Sequence, residues 1–428
     1  MKKIKKIMSF VVVGGSVLSA SYAPADELRM SWWGGNSRHE ATNAAVDEFE
    51  KKYPNISVKT EYTGWGGHLE RLTTQIAGNT APDVMQTNWN WLPIFSKNGD
   101  GYQDLTDYSD IIDFSQFPES ALKAGQRNGV QNGIPISMAA RIFYYNKDTW
   151  ARAGLDFPTN WGELMASGAV FKEKLGEKYF PMVLEGRDVM AMNRSYMIQK
   201  YGVPFIDEAS KRIAYSEEQM VEFFQLYADM VTQHVVPSSK YIAAFGAANL
   251  YEHKPWINGE WAGVYMWNSA INKYNDNLKP PMSMALGPYL IKSGASDAGL
   301  FYKPAQMFAI GNNTNYPEDS AALINFLLND PQGFRAMGLK RGVPLSKIAR
   351  ETLVADGVIK NKDLSVAGLN YIDVLPKNSS VSQYFENPKL LGLFEEMLQD
   401  MDHGNKTVEE AADTFLKKSK RILRKAMK

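Results

Sequence analysis

Three tryptophan-rich segments fall within the first 91 residues and hold five of the chain's ten tryptophans. They are Trp32-Trp33-Gly34-Gly35-Asn36, Trp65 set among Gly64, Gly66 and Gly67, and Asn88-Trp89-Asn90-Trp91. Each follows a stretch that reads as a β-strand. A pyranose has an apolar C–H face that can lie on an indole, and its hydroxyls need fixed polar partners. Indoles gain contact at little cost in side-chain entropy. The chemistry these residues suit is sugar binding. Trp33 and Trp65 are the stacking platforms, and Asn88 and Asn90 are hydroxyl partners beside Trp89. Gly34, Gly35 and Asn36 precede a helix whose free backbone N–H groups can meet an anion or a hydroxyl. Each has a plainer reading. An indole can pad the edge of a core, an asparagine can shape a turn, and the glycines can belong to an ordinary helix cap.

Hydrophobic period shows what must position them. Residues 28–33 read as a strand. A helix capped by Asn36 or Ser37 follows, with Ala41, Ala45, Phe49 and Tyr53 on one stripe, and Pro54 stops it. Ile56, Val58, Thr60 and Tyr62 alternate as a second strand. Leu69, Leu72, Ile76 and Ala77 mark a helix ended by Gly78, and residues 83–87 read as strand three. Strands alternating with helices imply an α/β fold with a mostly parallel sheet. Parallel strands share one carboxyl edge, so all three tryptophan segments are expected there, where open α/β sheets bind ligands.

A second set of α/β signals starts near Ile134. Residues 141–145, 181–184, 261–266 and 306–310 read as strands, and 317–328 as a helix. Ser216 and Gln219 form a capping box ahead of a buried stripe of Met220, Phe223, Tyr227 and Met230, and Thr407 with Glu410 forms another. No repeat or low-complexity linker intervenes, which fits two lobes joined by short crossings.

The first 25 residues read as a secretory signal peptide. Lys2, Lys3, Lys5 and Lys6 precede an apolar run from Ile7 to Ala20, too short to span a bilayer, and cleavage is expected after Ala25. The remainder carries 43 basic against 47 acidic residues, a formal −4, which argues against a nucleic-acid partner. The chain has no cysteine, which excludes disulfides, a thiolate metal site and a lipid-modified cysteine. A secreted binder without a lipid tether stays near its cell only inside an outer membrane, so the periplasm is the expected location. His39, His68, His234, His253 and His403 are scattered without metal-ligand spacing, and residues 98–101 (NGDG) suit a turn better than a calcium loop. Neither metal nor cofactor is expected. A secreted glycosidase or lyase would share the compartment and a sugar cleft, but no carboxylate pair stands out for it.

Five stretches in order resemble the carbohydrate-binding extracellular solute-binding proteins of ABC transporters, the family related to maltose-binding protein. They are 28–35 (LRMSWWGG), 76–84 (IAGNTAPDV), 134–137 (IPIS) leading to 144–148 (YYNKD), 258–261 (NGEW) and 321–328 (AALINFLL). Residues 32–38 and 88–95 (NWNWLPIF) look most like the oligogalacturonide-binding members. The resemblance implies a two-lobed periplasmic-binding-protein fold of type II with three hinge crossings, near Ser137–Ala140, Leu286–Ile291 and Arg341–Leu345. Residues 26–137 plus 287–340 would form one lobe and 138–286 plus 341–428 the other. It also implies a monomer that binds an acidic pectin oligosaccharide and delivers it to an inner-membrane ABC permease.

By the same resemblance, Trp267 and Asn268 correspond to the second lobe's stacking segment, with Trp261 as the alternative to Trp267. An acidic ligand needs cations, and arginine clamps a carboxylate with two parallel hydrogen bonds. Arg141, Arg187, Lys303 and Arg341 are the candidates. Their plainer readings are ion pairs with the protein's own carboxylates and stems packed on apolar groups.

Overall fold

The computed structural model of the chain describes residues 26–360, 362–372, 375–376 and 381–428. The expected signal segment lies outside the described residues. Strands β1 (Asp26–Trp33), β2 (Ile56–Thr63) and β3 (Val84–Thr87) pair in parallel, with Trp33 opposite Thr63 and Met30 opposite Val84. Helices α1 (Asn36–Lys52) and α2 (His68–Ala77) connect them. Side chains alternate across a strand. Leu28, Met30 and Trp32 therefore enter a core with Phe49 and Phe308, while Trp33 enters another with Leu72 and Trp91.

The rest of the sheet departs from the parallel expectation. Strands β4 (Ile134–Asn146), β5 (Gly263–Trp267), β6 (Met284–Leu286) and β7 (Tyr302–Ile310) all pair antiparallel with their neighbours. The order is β6-β4-β7-β3-β1-β2, with β5 also on β4. No short crossover helix links these strands to their sheet neighbours, so distant packing sets their direction. β4 is one unbroken strand of 13 buried residues. Its first half pairs with β7, and Arg141 to Tyr145 pair with β5. The stretch Ser137–Ala140 thus sits inside a continuous strand.

Residues 181–184, read as a strand, are buried but form no named strand; Met182 N donates to Val235 O, and Val183 N donates to Gly263 O at the start of β5. Helices α3 (Trp161–Leu175), α4 (Gly186–Tyr201) and α5 (Glu217–Thr232) belong to the larger core. Helices α6 (Pro317–Asn329) and α7 (Pro331–Met337) cover α1. α8 (Lys347–Ala355) packs on α7 and α6, whereas α9 (Leu364–Ile372) reaches β4 and β6. α10 (Pro388–Asp402) and α11 (Val408–Ala426) close the larger core against α4 and α5. Both expected capping boxes are present, at Ser216 and Thr407. Among the described residues no helix is long and apolar enough to cross a membrane.

Residues 287–301, expected in the first lobe, bond elsewhere. Gly287 N donates to Phe143 O, Gln199 Nε2 to the Leu290 and Ala298 carbonyls, and Arg141 N to Phe301 O. Those partners stand in the second expected lobe. Leu345 N donates to Ile136 O, so the chain beyond Arg341 still lies against the first.

Candidate functional site

β1, β2 and β3 end side by side and bring the tryptophan segments together. The Trp33 ring lies 5.3 Å from Trp65 and 5.0 Å from Trp91, and Trp65 stacks on Trp91 at 5.6 Å. Trp33 and Trp91 are buried, whereas Trp65 is 49% exposed. Trp65 offers the open indole face, and the other two hold it from behind. His68, set aside in the sequence among scattered histidines, completes the group. It stacks on Trp91 at 6.1 Å, and its Nδ1 lies 2.9 Å from Thr63 Oγ1. Burial, helped by the Arg71 charge, pushes its imidazole down to about 4, so it is neutral at pH 7. Its place just past Trp65 at a helix start was the available signal.

The glycine pair has a local task. A Cβ on Gly34 would lie 2.7 Å from Arg38 Cδ, so the glycine makes room for that side chain. Arg38 in turn donates to the Lys340 and Trp33 carbonyls. The cap of α1 is Gly35 rather than Asn36 or Ser37, and no side chain caps it. Gly35 and Asn36 are exposed. Asn88 is buried with its Oδ1 unpartnered; Asn90 donates to Glu386 O at 3.3 Å and also leaves Oδ1 unpartnered.

Another indole stands at the end of β5. Trp267 is partly exposed and packs on Phe301 at 5.0 Å. Lys303 Nζ lies 5.6 Å from the Trp89 ring and 5.1 Å from the Trp267 ring, so it brings these two indoles into one neighbourhood. Trp261 is fully buried against Phe245 and His253, which leaves Trp267 as the accessible indole of the two. Asn268 is spent on structure: its Oδ1 accepts from Ala140 N at 3.0 Å, and its Nδ2 donates to Ser365 O at 3.1 Å.

The four cations differ in what surrounds them. Arg141 pairs with Asp188, donates to Tyr265 O at 3.0 Å and lies 4.7 Å from the Trp267 ring, a cation–π contact. Lys303, the second residue of β7, pairs with buried Glu386. Burial opposes the Glu386 charge, but Lys303 and Arg187 outweigh it and hold the carboxyl below the usual range. Arg341 is buried. It donates to Gln86, Gln306 and Thr42 and faces Trp32 and Phe308. Its neighbours are amides and a hydroxyl within the first core, so the expected carboxylate clamp gives way to a packing role. Arg187, on the first turn of α4, is only partly buried; its Nε has no partner, and no ion pair engages it among the described residues. Sequence reading missed the acidic counterparts: Asp188, Glu386, and also Glu185. Burial and neighbouring Asp188 push the Glu185 carboxyl up to about 7. Glu185 keeps an exposed edge, and water there moderates the rise. Among the described residues no group of three or more His, Asp or Glu could hold a metal ion.

Indoles gathered at the ends of parallel strands, with Trp267, Lys303 and a few polar groups near Trp89, are the lining expected of a solute-binding protein. The chain belongs to the bacterial extracellular solute-binding protein family, whose model matches residues 35–333. A periplasmic oligogalacturonide binding protein from Yersinia enterocolitica, in complex with saturated digalacturonic acid, is 59% identical. The match covers 94% of this chain and 100% of that one, with a TM-score of 0.91. A periplasmic solute binding protein from Pectobacterium atrosepticum is 45% identical over 94% of this chain and 100% of that one, TM-score 0.92. The diacetylchitobiose binding protein DasA of Streptomyces coelicolor is 26% identical over 65% of this chain and 62% of its own length.

Proposed function

We propose that this protein captures an oligogalacturonide in the periplasm and hands it, as a monomer, to an inner-membrane ABC permease. It acts as a binder and not as an enzyme. The observation that carries the reading is two accessible indoles, Trp65 after β2 and Trp267 at the end of β5, together with Arg187, a partly buried cation that no ion pair engages among the described residues. The indoles suit sugar rings, and Arg187 suits a uronate. Asn88 and Asn90, each with an unpartnered carbonyl oxygen, suit hydroxyls. The 59% identical relative, which holds digalacturonic acid, supports the same ligand class. Trp33 and Trp89 act as backing; Gly34, Gly35 and Asn36 form the rim. We assign Arg141 and Lys303 to shaping the wall through their own carboxylates. The bonding of residues 287–301 supports a second crossing at Phe301–Lys303 rather than near Leu286–Ile291. The packing of α8 supports a third crossing after α8 rather than at Arg341–Leu345.

A neutral oligosaccharide is the second reading, favoured by one observation: Arg141 and Lys303 already have carboxylate partners. Tryptophan fluorescence and thermal shift against digalacturonate and a neutral disaccharide separate the two. Selective response to digalacturonate is expected, and equal response to the neutral sugar refutes the acidic reading. Incubation with polygalacturonate should release no unsaturated or reducing-end products; their appearance would refute the binder.

A further inference from the structure

Strand β2 is an edge of the sheet, and two exposed aromatic rings flank its carboxyl end. Trp65 is one. Tyr62 is the other, 43% exposed. Adjacent residues of β1 prop them: Trp33 lies against Trp65 at 5.3 Å, and Trp32 lies against Tyr62 at 5.1 Å. Side chains alternate across a strand, so the two rings rise on opposite faces of the sheet's end. The Tyr62 ring also stacks on His39 of α1 at 4.3 Å, with 22° between the planes. His39 lies 6.2 Å from Trp32. These three separations place His39 over one face of Tyr62 and Trp32 at its edge, so the opposite face is the one left open. Trp32 Nε1 donates to His39 Nδ1 at 3.0 Å, which fixes the imidazole behind the phenol. Burial, with the Arg341 and Arg38 charges, holds His39 below its ordinary value, so it is neutral at pH 7.

The surface between the rings is open. A Cβ added at Gly35, Gly64 or Gly66 would meet no atom within 4 Å. Three positions separate Tyr62 from Trp65, so their Cα atoms are at most about 11 Å apart. A span of that order suits successive rings of one sugar chain. Arg38 lies against Gly34, donates to the Trp33 and Lys340 carbonyls, and is in no ion pair among the described residues. Its uncompensated charge favours an acidic ring over a neutral one. An aromatic face already held from behind takes a pyranose C–H face at little entropic cost.

We propose that Tyr62 is an accessory subsite, which takes a further galacturonate ring when the oligosaccharide is longer than the dimer. The inference rests on the oligogalacturonide reading above. The test is calorimetry on the full chain with digalacturonate and tetragalacturonate. Tetragalacturonate should bind roughly 5- to 10-fold tighter, the worth of one aromatic stack. Tyr62→Ala should erase that gain and leave digalacturonate affinity unchanged. Tyr62→Leu, which keeps apolar cover on Trp32, should do the same, and Tyr62→Trp should keep the gain. Digalacturonate binding without a gain for tetragalacturonate overturns the subsite alone, as does a gain that survives Tyr62→Ala and Tyr62→Leu. Equal weakening of both oligomers by Tyr62→Leu marks a structural role and overturns it as well. If the parent binds neither oligomer, the ligand class falls and the subsite falls with it.

Discussion

A guanidinium serves a ligand only if its donors are not already committed. Arg141 spends its charge on Asp188, and Arg341 spends its donors on Gln86, Gln306 and Thr42. All three leave Nε unpartnered, but Arg187 alone is only partly buried, and no ion pair engages it among the described residues. Arg187→Ala should therefore weaken digalacturonate binding by roughly 1.5–3 kcal/mol, about 10- to 150-fold, with little change in melting temperature. Calorimetry of the variant checks it, and an unchanged affinity removes Arg187 from the site. His68 predicts a stability effect. Its folded value of about 4 lies below the ordinary 6.5, so the unfolded chain takes up the extra proton as pH falls. Stability present above pH 6.5 is lost between about 6.5 and 4, by up to roughly 3 kcal/mol. Urea denaturation across that range should show the slope, and His68→Phe should remove it. The cationic residue types were legible in the sequence, as were the indoles. Their partners were not: Asp188 is 47 positions from Arg141 and Glu386 is 83 from Lys303, distances no local pattern spans.

Strands and helices were legible where neighbours in sequence are also neighbours in the sheet. β1, α1, β2, α2 and β3 follow the period-2 and period-3.6 patterns, and their shared edge follows from parallel connection. The antiparallel β4 and β7 pair across more than a hundred residues, so their direction had no local signal. Contact of α3 with the rest of the fold was equally hidden. A Cβ on Gly168, midway along α3, would lie 2.0 Å from the Gln233 carbonyl oxygen, which is backbone and cannot rotate away. Gly168→Ala should cost about 3 kcal/mol through forced separation of α3 from the chain after α5. A thermal melt measures it, and a melting temperature within a degree of the parent would refute that contact.

At the scale of the whole molecule, charged groups beside the candidate site should make its affinity sense pH. Burial and Asp188 raise the Glu185 carboxyl toward about 7, while galacturonate carboxylates stay ionised from pH 6 to 8. As pH falls through that window Glu185 takes up a proton and stops repelling an acidic ligand. Affinity for digalacturonate should therefore rise from pH 8 to pH 6, and Glu185→Gln should flatten the profile; calorimetry at the two pH values checks both. The two-body plan was legible from the order of family-like stretches, but where the chain passes between bodies was not. Those passages are marked only by bonds such as Arg141 N to Phe301 O. Because β4 threads both bodies as a single strand, neither half can be excised as a free-standing fragment: any cut between them leaves each piece a severed strand with bare edges. Exchange of specificities by swapping halves between relatives would have to splice within that strand and keep its register, so single-residue change in the candidate site is the easier route to a new ligand.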